Sequence, residues 1–289
     1  MNQHTDNDKI GVELAAQRFR MLEDIAKELA GEVVFPTCFD AALRLRQALQ
    51  DPNLSLVHIA RVVAVEPLVA AKLIHLANSA AFAGQGRPVR DLASAISRLG
   101  LNVVRATALA IAMNQILHAK EMAAFAGLAR SLWEHSVRSA VAARVLAHTY
   151  TRISPEEALL AGLVHDLGAF YMLYRATQYQ ELRERPDTVK HLIMQWHESI
   201  GVTLLETLGL PEDIVQASID HDHPRAVPDI PKTLADIVYA SNVLAGAHFE
   251  WLYQDFDRQV EVFKTMHEKF SRLMPEIEAE AREMQSVLG

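Results

Sequence analysis

Residues 154–168 read SPEEALLAGLVHDLG, and this stretch decides the fold class. Ser154 can cap a helix and Pro155 suits the first helical position. The apolar residues that follow recur at helical spacing, and small residues surround His165 and Asp166. The stretch predicts one helix that carries an adjacent histidine–aspartate pair on its inward face.

Helical spacing recurs along nearly the whole chain, and no stretch alternates strictly between apolar and polar residues next to a hairpin turn. A first helix should end at Gly31. Another is well delimited, because Asp91 can cap its start and Gly100 can end it. The predicted fold class is therefore all-α.

Composition narrows the function classes. The chain has 289 residues, and its 50% apolar content is sufficient for a large core. A formal net charge of −8 argues against general nucleic-acid binding. One cysteine, Cys38, excludes an internal disulfide, and the polar N-terminus does not resemble a signal peptide. No apolar run approaches the roughly 20 residues of a membrane span. These features predict a cytoplasmic protein.

Several other histidines lie where a cation could bind. His135 stands in SLWEHS (131–136), and His197 shares an apolar helix face. His221 and His223 belong to DHDHP (220–224), which should end a helix that begins at Pro211. Imidazole and carboxylate bind divalent metals, and such a metal acidifies water for attack on phosphate esters. The alternatives are hydrogen-bonded core histidines and, at 221 and 223, exposed histidines at a helix end.

The order of the motifs resembles the HDOD family, the "HD-related output domain" branch of the HD superfamily, across residues 31–248. The resemblance implies a helical bundle at 31–120 and an HD-like helical core at 121–248. These would be preceded by an N-terminal helix at 1–30 and followed by a C-terminal helical extension at 249–289. The matching motifs are Phe35-Pro36-Thr37, Glu66-Pro67-Leu68, Leu76-Ala77-Asn78-Ser79-Ala80, Ala95-Ile96-Ser97-Arg98-Leu99-Gly100, Trp133-Glu134-His135-Ser136, Ala161-Gly162-Leu163-Val164-His165-Asp166-Leu167-Gly168 and Leu208-Gly209-Leu210-Pro211.

Catalytic members of the HD superfamily bind metal through a histidine, a His-Asp pair and a distal aspartate. His135, His165 and Asp166 match the first three positions, while His197 and His221 resemble additional histidines of the cyclic-dinucleotide phosphodiesterases. The resemblance implies these five residues as metal ligands, with Asp166 essential in an active enzyme. A divalent metal is the one cofactor that the resemblance implies.

The chain departs from the catalytic pattern at three places. Ser241 or Asn242 stands where the distal aspartate belongs, and neither is an anionic ligand. Ala169 replaces a lysine that could stabilise phosphate charge. Asp222 stands at the position of a second histidine in an ungapped alignment, whereas a shift of one residue would place His223 there. Loss of the carboxylate should weaken both metal binding and activation of water. We therefore expect a degenerate HD-type pocket.

The C-terminal segment carries its own apolar seam, which is interrupted by Glu280, and Pro275 should kink or restart its helix. The seam predicts either docking on the protein's own domain or a homodimer through this segment. Its apolar residues are Phe263, Met266, Phe270, Leu273, Ile277, Met284 and Val287.

Three functional hypotheses follow. The leading one is a non-catalytic bacterial signal-transduction output module that acts through contacts with signalling proteins of unknown identity. The first alternative is a metal-dependent phosphohydrolase that acts on a nucleotide or cyclic dinucleotide. The second is a metal-binding scaffold without turnover.

Overall fold

The computed structural model describes residues 12–30, 39–49, 51, 55–84, 87–223, 225–226, 230–246 and 256–288. Every regular element within these ranges is a helix, which confirms the all-α prediction. The Phe35-Pro36-Thr37 motif, Cys38 and Gly31 lie outside the described residues.

The N-terminal half is organised around one long helix. Three short helices, α2 to α4, pack against that helix, α6. The first six helices are α1 (Val12–Ala30), α2 (Asp40–Ala48), α3 (Leu56–Ala64), α4 (Pro67–Ala77), α5 (Ala80–Ala83) and α6 (Leu92–Leu117).

Helix α6 starts as predicted, because Asp91 Oδ1 accepts a hydrogen bond of 2.8 Å from the Ser94 amide. The predicted stop at Gly100 is a kink: this residue has a φ of +75°, and a second helical stretch follows it directly.

By length and composition alone, α6 is the one helix of the described ranges that could cross a membrane. About 67% of its apolar window is buried inside the protein, as in a core helix.

The second half is built around α7 and α8, which pack closely against each other. Helix α13 covers α7, α11 lies along α9, and α6 contacts α8 from the N-terminal half. This half contains α7 (Ala126–Tyr150), α8 (Pro155–Val164), α9 (Leu167–Ala176), α10 (Gln180–Arg183), α11 (Pro186–Thr207), α12 (Glu212–Ala217) and α13 (Leu234–Leu244).

Polar contacts fix α1 to this second half. The hydroxyl of Tyr171 donates to Glu28 at 2.6 Å, and Arg175 forms an ion pair with the same carboxylate. The hydroxyl of Tyr179 donates to Asp24. Helix α1 therefore lies on α9, α10 and α11 rather than on the bundle that follows it in sequence.

The C-terminal seam docks on the protein's own domain. Helix α14 (Phe256–Phe270) is followed by α15 (Met274–Leu288), so the helix restarts next to Pro275 as expected. Helix α15 packs against α7, α4 and α6. Glu280, the break in the seam, accepts a hydrogen bond of 2.8 Å from Arg144 of α7. Self-association through this segment stays a prediction.

Candidate metal centre

Four separate segments bring five predicted ligands to one place. His135 lies in the middle of α7, and His197 lies in the middle of α11. His165 and Asp166 form the junction between α8 and α9, and His221 follows α12. All five residues are buried. The prediction that one helix carries the His-Asp pair is wrong, because α8 ends at Val164 and Asp166 precedes the first residue of α9.

A close backbone contact fixes this junction. A Cβ atom on Gly168 would lie 1.9 Å from the carbonyl oxygen of His197 and 2.7 Å from the amide nitrogen of Gly201. Only a glycine allows α9 and α11 to approach so closely. The approach places His197 beside Asp166, with 3.7 Å between Nε2 and Oδ1.

The four histidine rings point their Nε2 atoms at each other. Nε2 of His135 lies 3.3 Å from Nε2 of His165, and we call these two residues the α7–α8 pair. Nε2 of His197 lies 3.3 Å from Nε2 of His221, and we call these two the α11–loop pair. Two neutral nitrogen lone pairs at this distance repel unless a proton or a metal ion lies between or beside them.

The Nδ1 atom of each of the four rings is hydrogen-bonded to a backbone carbonyl oxygen. Since a carbonyl oxygen can only accept, each Nδ1 must carry the hydrogen atom, and each neutral ring then presents an Nε2 lone pair to the centre. Metal-binding histidines are commonly oriented in this way. The carbonyl partners of Nδ1 are Gly246 for His135 at 3.0 Å, Gly162 for His165 at 2.8 Å, Ile193 for His197 at 2.8 Å and Ser218 for His221 at 2.7 Å.

Asp166 lies between the two pairs and offers one oxygen to each. Its Oδ2 is 3.3 Å from Nε2 of His165 and 3.7 Å from Nε2 of His135. Its Oδ1 is 3.2 Å from Nε2 of His221. The ligand atoms of each group of three lie within 4.8 Å of one another, so Asp166 belongs to two groups that could hold a metal ion.

Asp222 adds a second carboxylate, which sequence reasoning interpreted only as a departure from the family pattern. Its Oδ2 lies 3.3 Å from Nε2 of His197, and its Oδ1 lies 3.7 Å from Nε2 of His221. Asn242 holds it there, because the Asn242 side-chain amide donates 3.0 Å hydrogen bonds to Asp222 Oδ1 and to the carbonyl of His221. The only hint in the sequence was the density of acidic and histidine residues at 220–223.

The loop after α12 also corrects two expectations. Helix α12 ends at Ala217, before the acidic cluster, and Asp220 has a φ of +57°. His221 is only 1% exposed, so it is not an exposed histidine at a helix end. His223 is exposed, and its Nδ1 lies 3.3 Å from Asp220.

Ser241 takes a structural position. Its hydroxyl donates to the Val238 carbonyl at 2.9 Å and lies 3.1 Å from the hydroxyl of Ser139 on α7. One of the two positions expected for a distal carboxylate therefore links α13 to α7.

The two carboxylates hold positive charge at the centre. Burial alone would raise the pKa of Asp166, but His165 and His221 outweigh it and keep this pKa well below its usual range. Burial alone would lower the pKa of His221, yet Asp222 and Asp166 raise it to about 10. Protons and a divalent metal therefore compete for the same Nε2 atoms.

The space beside the centre is very small. The adjoining cavity has a volume of about 10 Å³, and Leu132, Ala169, Ile193 and Met194 form its apolar walls. A space of this size holds roughly one water molecule. The enclosed space beside the centre therefore has room for a water-sized ligand.

Comparison with known proteins identifies the family. The family model for the HDOD domain matches residues 35–224. The chain belongs to the HDOD domain family. Within the HDOD match lie all four histidines of the centre together with Asp166 and Asp222.

Solved structures share the fold of this HDOD protein at low sequence identity. A protein of Shewanella amazonensis SB2B, described as a "putative metal-dependent phosphohydrolase", is 20% identical with a TM-score of 0.69, and the alignment covers 95% of this chain and 100% of that one. A "putative signal transduction protein" of Marinobacter aquaeolei VT8 is 19% identical with a TM-score of 0.50, over 96% of this chain and 68% of that one. At such identities the likeness establishes the fold.

A curated relative from Treponema pallidum (strain Nichols), an uncharacterized protein, is 23% identical over 264 residues. The alignment covers 86% of the HDOD protein described here. The chain spans about half of the relative's length, 49%.

Proposed function

We propose that this HDOD protein binds divalent metal at the histidine–aspartate centre and works as a signalling module through protein contacts, without hydrolysing phosphate esters. The convergence of four Nε2 atoms on Asp166, with every Nδ1 bonded to a carbonyl, carries the proposal. Mixed imidazole and carboxylate donors suit zinc or iron.

The protein's own groups would divide the work of holding the metal. The α7–α8 pair and the α11–loop pair would each supply two nitrogen ligands, and Asp166 would supply one oxygen to each pair. Asp222 would add negative charge on the side of the α11–loop pair. A bound divalent metal would supply Lewis acidity and a structural cross-link among α7, α8, α11 and the loop after α12.

The absence of hydrolysis is proposed from the surroundings of the centre. Pockets for drug-sized ligands have volumes of about 300 Å³ or more, whereas the cavity here has about 10 Å³. Ala169 contributes a methyl group to its wall where a lysine would have offered positive charge to a phosphate. The experiment must distinguish this non-catalytic role from the alternative, metal-dependent hydrolysis of phosphoesters.

Exposed apolar side chains support the role of protein contacts. Among the described residues, Leu56 and Val57 of α3, Val65 after α3 and Leu68 of α4 are each at least 46% exposed. Apolar groups on a protein surface are suited to binding a partner.

The experiment begins with the metal content of the full chain. Protein purified without chelators or metal-affinity resin should retain about one to two equivalents of transition metal by plasma mass spectrometry. Asp166→Asn should lose most of it, because this substitution removes the charge shared by both pairs. The matched control is Asp187→Asn, at an exposed carboxylate in the first turn of α11.

The second arm measures turnover. Protein loaded with zinc, iron or manganese is assayed against phosphate monoesters, nucleotides and cyclic dinucleotides, and no turnover sensitive to Asp166→Asn is expected. Such turnover would overturn the non-catalytic assignment. Metal-free wild-type protein that fails to take up any of the three metals would overturn the metal assignment.

A further inference from the structure

A second cavity lies where the two halves of the chain meet. It has a volume of about 190 Å³ and lies between α2, α6 and the loop Leu208–Leu210, which connects α11 to α12. Five leucines line it, together with Arg46 of α2 and Arg105 of α6. None of these residues belongs to the metal centre. The cavity is large enough for a small organic molecule.

Sequence spacing explains how charged and apolar groups come to line the same cavity. On α2, the positions 42, 45, 46 and 49 fall on one face of the helix, which thereby presents Arg46 among small and apolar residues. On α6, Arg105 and Leu109 are four residues apart and likewise share a face. Each helix therefore contributes one guanidinium with leucine next to it.

Neither cavity arginine forms an ion pair or a side-chain hydrogen bond with any described residue. Other partly buried arginines have acidic partners: Arg44 pairs with Glu66, and Arg144 pairs with Glu280. Burial lowers the pKa of Arg105, and no acid offsets it. Two partly buried cations without an acidic partner among the described residues give this cavity a positive charge that attracts an anion.

The turn after α11 keeps Arg46 in position. Gly209 has a φ of +69°, and a Cβ atom there would lie 3.0 Å from both Cγ and Nε of Arg46. The amide of Leu210 donates to the carbonyl of Leu205 at 3.0 Å, which closes the turn. The arginine side chain therefore packs closely against Gly209 in the wall of the cavity.

We propose that this cavity binds a small organic oxyanion, with a carboxylate or phosphate head between Arg46 and Arg105 and a short apolar body against the leucines. Guanidinium groups bind both kinds of head through paired hydrogen bonds. The site is independent of the metal centre, although α11 contributes to both, through His197 and through the turn that follows its last residue.

The test titrates phenyl phosphate and benzoate into the full chain, with benzyl alcohol as the neutral analogue, by calorimetry and thermal unfolding. At least one of the two anions should bind and raise the melting temperature, and benzyl alcohol should not. Arg105→Met and Arg46→Met should each weaken anion binding by about tenfold or more, because each removes charge-assisted hydrogen bonds. Arg130→Met, at an exposed position of α7, is the matched control and should bind as wild type does.

Thermal unfolding without ligand shows that the variants are folded. Arg105→Met and Arg46→Met should melt no lower than wild type, because each removes an unpaired cation from a cavity. Asp166→Asn should keep the binding of the anion, which separates this site from anion binding at a metal. The proposal is overturned if neither anion binds, if both arginine variants bind as wild type does, or if Asp166→Asn abolishes binding.

Discussion

The α7–α8 pair and the α11–loop pair share Asp166 but differ in negative charge. Ser241, one of the two positions expected for a distal carboxylate, is occupied by its contacts with Ser139 and Val238. Around the α11–loop pair, Asp222 lies 3.3 Å from His197. Among the described residues, Asp222 thus adds a second carboxylate on the side of the α11–loop pair.

The position of Asp222 gives a new interpretation of the non-acidic residues at 241 and 242, where the family pattern has an aspartate. A substitution at 241 or 242 looks like the loss of a ligand when the sequence is read alone. In the structure, Asn242 takes a different part, because its amide positions the carboxylate of Asp222. A neutral amide can do this, whereas an aspartate at 242 would repel Asp222. We expect the α11–loop pair to bind metal more tightly than the α7–α8 pair.

The largest effect should come from Gly168→Ala, which disrupts the close contact between α9 and α11 and thereby the relative position of the two pairs. The added methyl group would lie 1.9 Å from the His197 carbonyl, so α9 and α11 must separate. We expect a loss of about 3 kcal/mol or more in the free energy of unfolding and loss of bound metal. Chemical denaturation and metal analysis measure both. Gly201→Ala is the matched control, because its Cβ would meet Gly168 at an ordinary 3.4 Å. Equal stability of the two variants would contradict this account.

Removal of one histidine from each pair tests whether the centre is divided as the geometry indicates. His165→Ala should abolish binding by the α7–α8 pair and leave the α11–loop pair able to bind, and His221→Ala should do the reverse. Each variant should then retain about half of the wild-type metal, with the tighter site surviving in His165→Ala. If either variant loses all of its metal, the two pairs act as one site.

Asp222→Asn tests the asymmetry itself. The substitution keeps the size of the side chain and an oxygen for Asn242, but it removes the charge that faces His197. Affinity of the α11–loop pair should fall by about 10- to 100-fold, as for other groups that act next to metal ligands. Competition with a chromophoric chelator measures this affinity, with Asp187→Asn as the control. An unchanged affinity would remove Asp222 from the centre.

The parts of the fold that depend on local sequence were predictable. Caps and apolar spacing predicted the starts of α6 and α8, and both Asp91 and Ser154 accept the expected backbone hydrogen bonds. The inward face of α11 was also predictable, because His197 shares a helical stripe with buried aliphatic residues. These features depend on residues three or four positions apart.

The remaining features depend on contacts between distant segments. The break between α8 and α9 depends on Gly168 meeting α11, thirty residues further along the chain. The position of Asp222 depends on an amide of α13, twenty residues away. Periodicity within one segment contains no information about such contacts, so the sequence predicted the five residues that meet at the centre and missed the carboxylate beside them.

Ser241→Ala should have the smallest effect, and it tests whether Ser241 contributes to metal binding. Since the Ser241 hydroxyl donates to Val238, the Ser139 hydroxyl is the donor in their mutual contact. The substitution leaves that buried donor without its acceptor, at a cost of about 1 kcal/mol in stability, and metal content should not change. Ser136→Ala is the matched control, because the Ser136 hydroxyl donates only to the Leu132 carbonyl of its own helix. A fall in metal content in Ser241→Ala, with Ser136→Ala unaffected, would show that Ser241 contributes to metal binding and would contradict the proposed difference between the two pairs.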